Sequence, residues 1–112
     1  MNHRPRGENP ATLLEHDFAQ ERASALGRLG RALEAALAAL GEFDDSHPRD
    51  EANRAVHKKM VMEASTALWQ FVVQREACGM RDMRAVIRDY RVPAEVAAHM
   101  GAMPEQPARR RR

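Results

Sequence analysis

Residues 68–79, Leu68-Trp69-Gln70-Phe71-Val72-Val73-Gln74-Arg75-Glu76-Ala77-Cys78-Gly79, constrain this chain more than any other stretch. They hold its single Trp, its single Cys and one of its three Phe. Wound as a helix, Leu68, Phe71, Val72 and Arg75 fall on one face and Trp69, Val73 and Glu76 on the next. Only Gln70, Gln74 and Ala77 remain for the third. An apolar arc that wide predicts a helix covered from two sides, not one lying on a surface. Periodicity alone leaves a strand open for so short a run. The approach through Met62–Ala67 and the closing Gly79 favour the helix.

The helical pattern extends through most of the chain. Asn9-Pro10 supplies an N-cap acceptor followed by a proline suited to the first helical position. From there to about residue 43, Leu14, Phe18, Ala25 and Leu29 share one stripe. Further on, Leu26, Leu29, Leu33, Ala36, Leu37, Leu40 and Phe43 recur at spacings of three and four. Gly27 and Gly30 interrupt this helix at a cost of about 1 kcal/mol each relative to Ala. With so many alanines nearby, they predict a place where another helix comes close. The segment Asp44–Asp50, with Pro48, reads as a turn. A second helix, over 49–78, carries Ala52, Val56, Met60, Ala64, Ala67 and Phe71 as its stripe, widened by Val61, Leu68 and Val72. Asp82 can cap a third, through Tyr90, with Met83, Val86, Ile87 and Tyr90 inward. Pro93 opens a last short helix that ends at Gly101.

The expected fold is therefore all-α: two long antiparallel helices, 11–43 and 49–78, with two short C-terminal helices packed across them. A single domain over 10–101 lies between a polar tail at 1–9 and a basic one at 102–112. At 112 residues there is room for no second domain. Aromatics make up only 4% of the chain, so small residues must set the packing.

The net charge of +2 invites a nucleic-acid reading until the charges are located. Arg4 and Arg6 against Glu8 leave +1 in residues 1–9, and Arg109–Arg112 against Glu105 leave +3 in residues 101–112. The remaining residues, 10–100, therefore sum to −2 against the total of +2. A slightly acidic folded part argues against a phosphate-binding face. The four terminal arginines, Arg109, Arg110, Arg111 and Arg112, are the nucleic-acid contacts the sequence offers, and they carry no sequence preference. Val86–Met100 has a loose helix-turn-helix look. It departs from that pattern with Ile87 where a small residue is usual and Arg91 where Gly is, and its second helix lacks Lys and Arg.

No catalytic, cofactor or metal site emerges. The five His are scattered; Glu95 and His99, four apart on the last helix, and His16 beside Glu15 and Asp17 read as surface charge arrangements rather than metal ligands. Cys78 sits at a helix C-terminus, where the dipole opposes a thiolate; it reads as a buried structural thiol in a reducing compartment. No apolar run approaches the ~20 residues that span a bilayer, and the cytoplasm is expected. Arg75 and Glu76, inside the most apolar segment, predict a buried structural ion pair. A polar pocket near Arg75, Glu76 and His57 is a lesser alternative. Leu26, Gly27, Gly30, Leu33, Leu37 and Leu40 are the expected interface of a homodimer. The leading expectation is a non-catalytic, homodimeric interaction or scaffold protein. The second is a nucleic-acid-associated regulator using the arginine tail and the helices around Tyr90–Met100.

Phe71–Asp82, Tyr90–Val96 and Glu21–Arg28 resemble a family of short bacterial proteins of unknown function, mostly alphaproteobacterial. Val73-Gln74-Arg75-Glu76 followed by Cys78-Gly79 is the most specific part, and the likeness covers residues 13–101. The resemblance implies a small helical protein and no activity, cofactor or catalytic residue.

Overall fold

Three side-chain caps set where the helices begin. In the computed structural model, which describes residues 9–101, the Asn9 carboxamide oxygen accepts from the Thr12 amide at 2.9 Å and starts α1, Pro10–Ser46, with Pro10 in its first turn. Asp50 accepts from the Asn53 amide at 3.2 Å and starts α2, Glu51–Ala77. Asp82 accepts from Ala85 at 3.3 Å and starts α3, Met83–Asp89. The fourth helix, α4, runs over Ala94–Gly101. Each cap satisfies a backbone amide with no partner inside the helix, and each is worth about 1 kcal/mol. The described residues contain no strand.

The terminations follow equally local rules. Gly79 adopts a left-handed backbone (φ +87°), so Met80 N–H reaches Arg75 C=O at 2.8 Å and Gly79 N–H reaches Glu76 C=O at 3.0 Å. This paired closure needs a left-handed residue just past the helix, which Gly supplies without strain. The same closure ends α3, but there Arg91 takes the left-handed position (φ 52°) and Val92 N–H bonds Ile87 C=O at 3.0 Å. A residue with a Cβ is disfavoured there by roughly 1 kcal/mol.

Helices α1 and α2 are antiparallel: Asp44 meets His57 near the turn, Gly30 meets Phe71, and the Arg22 carbonyl meets Gln74. Between them and α4 lies one core, in which Leu33, Ala64, Leu68 and Val96 are completely buried and Leu40, Phe71, Val86 and Met100 almost so. Tyr90 sits edge-on to Phe71, with ring centroids 5.2 Å apart. Ser65 is the only buried polar side chain of the described residues. Its hydroxyl lies 2.8 Å from Val61 C=O and 2.9 Å from Val96 C=O, tying α2 to α4.

The buried face of α2 is rotated from its expected stripe. Val61, Ala64, Ser65, Leu68 and Phe71 are inside, whereas Ala52 and Val56 are exposed. Two neighbours, α1 and α4, share this helix, so its buried arc is centred between them. Around Trp69 the coverage is uneven: Leu68 and Phe71 are buried, Trp69 and Val72 half-buried, and Val73 is 43% exposed.

The residues expected to meet a second copy are covered from within the chain. Gly30, Leu33 and Leu40 are buried, and Leu26, Gly27 and Leu37 half-buried, against α2 and the α3–α4 segment. A Cβ on Gly30 would lie 3.1 Å from the Tyr90 hydroxyl and 3.2 Å from the Phe71 ring. A helix does approach there, but it belongs to the same molecule. Gly27 has no such neighbour; its added Cβ would meet only the Arg31 guanidinium, at 3.4 Å.

Candidate functional site

Core packing leaves unexplained a charge cluster where three helices converge and, with the most exposed large apolar side chains of the described residues, the N-terminal end of α1.

The cluster is centred on His57, near the start of α2. Its Nδ1 lies 2.8 Å from Asp44 Oδ1, at the end of α1, and its Nε2 lies 3.1 Å from Glu95 Oε2, in the first turn of α4. The ring is 14% exposed, against 28% and 41% for the two acids. Arg49, in the α1–α2 turn, brings Nη2 to 3.6 Å from Asp44 and 3.4 Å from Glu95. The hydrogen bond that the imidazole donates to Glu95 is the largest influence on the ring and holds its pKa above the ordinary value; partial burial acts against it and Asp44 in the same direction as Glu95. Carboxylates facing both ring nitrogens are satisfied together only by the doubly protonated ring, which donates to each. A cleft of about 230 Å³ opens beside the ring, lined by Phe43, His47, Arg49, Asn53 and Arg54 among others.

This arrangement limits the chemistry available. A general base needs a free ring nitrogen for substrate, and here both are occupied by carboxylates. Asp44, His57 and Glu95 also offer ligand atoms that all lie within 4.8 Å of one another, the sort of set a divalent cation takes. Here, however, the imidazole lies between the two acids and Arg49 already brings positive charge to both. The geometry is that of an ion network joining α1, α2 and α4. No local spacing announces it, because its members lie 13 and 38 residues apart.

The residues singled out from the sequence do not assemble into a site. Glu76 is exposed, and no ion partner of Arg75 or Glu76 is found among the described residues. Half-buried Arg75 instead places its guanidinium 5.8 Å from the Phe71 ring centroid, so the stem covers apolar surface while the charge stays near water. That replaces the expected buried pair. His57 and Arg75 are about 27 Å apart along α2 at ~1.5 Å per residue, too far to share a pocket. Cys78 is free and only half-buried. Arg109, Arg110, Arg111 and Arg112 lie outside the described residues. In the Tyr90–Met100 region, α4 carries no Lys or Arg, buries Val96 and Met100, and commits Glu95 to His57.

At the opposite end of the hairpin, α1 (37 residues) outruns α2 (27 residues). Gln74, in the last turn of α2, meets the Arg22 carbonyl. Over Pro10–Glu21, roughly three turns of α1, no helix among the described residues covers the side chains, and every residue but Thr12 is exposed. On these turns Leu13 and Leu14 are each 52% exposed and Phe18 58%. Leu14 and Phe18 prolong the stripe that passes through Ala25 and Leu29, which are half-buried.

No helix among the described residues is long and apolar enough to cross a membrane. The chain belongs to a family described as one of unknown function, DUF6665, whose model matches residues 3–109. No curated protein and no solved structure shows significant similarity to it.

Proposed function

We propose, taking membership of a family without an assigned activity as the premise, that this protein is a non-catalytic helical interaction protein whose working surface is the projecting end of α1. The observation that carries this reading is the pair Leu14 and Phe18, about half exposed on a helix whose remaining length is covered. Apolar side chains held out on a rigid arm, rather than scattered singly, are what association surfaces offer. The charge cluster ties α1, α2 and α4 together at the turn end, away from the arm. The protein acts as a homodimer in this reading.

Light scattering at tens of micromolar tests it. The expected mass is above that of the 12.6 kDa monomer, falling to the monomer value on Phe18→Glu with helical content unchanged. A monomer whose mass and stability are indifferent to Phe18→Glu overturns the reading.

A further inference from the structure

The charges of α1 divide at one point. Between Pro10 and Glu21 the arm carries Glu15, Asp17 and Glu21 and no Lys or Arg; between Arg22 and Leu33 it carries Arg22, Arg28 and Arg31 and no acid. All six are exposed. We propose that the arm docks against α1 of a second copy, antiparallel, with the twofold axis between residues 21 and 22. The proposal rests on the interaction function above and names its partner and geometry.

This register satisfies both charge and packing. Centring the pair between 21 and 22 sets Leu14 level with the partner's Leu29 and Phe18 level with the partner's Ala25. The largest exposed ring thus meets a small residue, and the two stripes run face to face. Glu15 comes level with the partner's Arg28 and Glu21 with the partner's Arg22, so each acidic half lies along a basic one. A shorter antiparallel overlap, centred on residue 16, brings Leu14 and Phe18 together but sets Glu15 level with the partner's Asp17, twice over. A parallel pair aligns every charge with its own copy. Like charges so placed within a Debye length repel, and the antiparallel offset turns the same residues into attraction. The contact is isologous, so it closes at two copies instead of growing into a filament. It joins the exposed Leu14 and Phe18 to the half-buried Ala25 and Leu29, and leaves aside Gly30, Leu33 and Leu40, which are spent inside the chain.

Single cysteines in a Cys78→Ser background, joined by a short bismaleimide, read the register directly. Glu21→Cys is expected to give a covalent dimer, while Ala11→Cys and His16→Cys do not. Charge exchange supplies a second readout. The variants Glu15→Lys/Glu21→Lys and Arg22→Glu/Arg28→Glu are each expected to associate about tenfold more weakly than the wild type, and an equimolar mixture to recover the association. Crosslinking at His16→Cys, or at all three positions alike, overturns the proposed geometry while leaving the interaction reading standing. A protein that remains monomeric overturns both.

Discussion

Two lengths of one helix behave differently. From Ala25 to Ser46, α1 lies against α2 and the α3–α4 segment, with Leu33 and Leu40 sealed inside. From Pro10 to Glu21 the same helix, continuing an apolar stripe, holds Leu14 and Phe18 half exposed. Helix formation therefore depends little on coverage here; a good cap and a run of Ala, Leu and Glu sustain it. Burial depends on what lies opposite, and α2 stops short of the arm. An apolar pattern is thus evidence for a contact without being evidence for which molecule supplies it.

The comparison can be broken most sharply with the same substitution in both halves. Leu33→Ala, at a fully buried site, is expected to cost about 2–5 kcal/mol, from lost transfer energy and the cavity left behind. Leu14→Ala, at a site 52% exposed, should change stability by no more than about 0.5 kcal/mol when both are measured by urea unfolding at a concentration where the chain is monomeric. Similar losses at the two sites would mean that the arm is covered from within the chain.

Glycines sharpen the contrast at a smaller scale. Gly30→Ala gains about 1 kcal/mol of helix propensity but drives a Cβ to 3.1 Å from Tyr90 and 3.2 Å from Phe71, an overpacking that costs about 1–3 kcal/mol. Gly41→Ala meets nothing within 4 Å and keeps the propensity gain. Opposite shifts in thermal midpoint are expected, Gly30→Ala down and Gly41→Ala up.

The smallest effect concerns the clamp at the turn end. Because the His57 pKa is raised in the folded protein, its contribution is fully present below the ordinary imidazole value of about 6.5 and is lost as pH rises through the higher folded value. The thermal midpoint of the wild type should exceed that of His57→Gln under mildly acidic conditions, and the gap should close as the solution becomes alkaline. A gap that widens with pH would show that the neutral ring is the stabilising form.

Much of the fold is legible in the residues. Asn9, Asp50 and Asp82 each cap the helix they precede, and Gly79 closes α2 with the left-handed backbone expected of it. Such signals act within a few residues, where the chain is its own environment. The left-handed turn at Arg91 is less legible, since the turn imposes on an arginine a conformation more readily taken by glycine. The His57 cluster is illegible at this level. Its parts come from two helix ends and a third helix, and no spacing rule links them.

What the sequence determined alone is the number and type of the helices, together with the apolar faces they must cover; the end of α1 was not among these, since the helix runs on through Asp44–Ser46, which by composition read as turn. Only the tertiary structure decided which surface covers which face. Gly30 and Leu33 went to Phe71, Tyr90 and the core of their own chain, and Arg75 went to the face of Phe71 instead of an acid. The reason is that burial is non-directional: an apolar stripe accepts any complementary surface, and the relative lengths of α1 and α2 select among them.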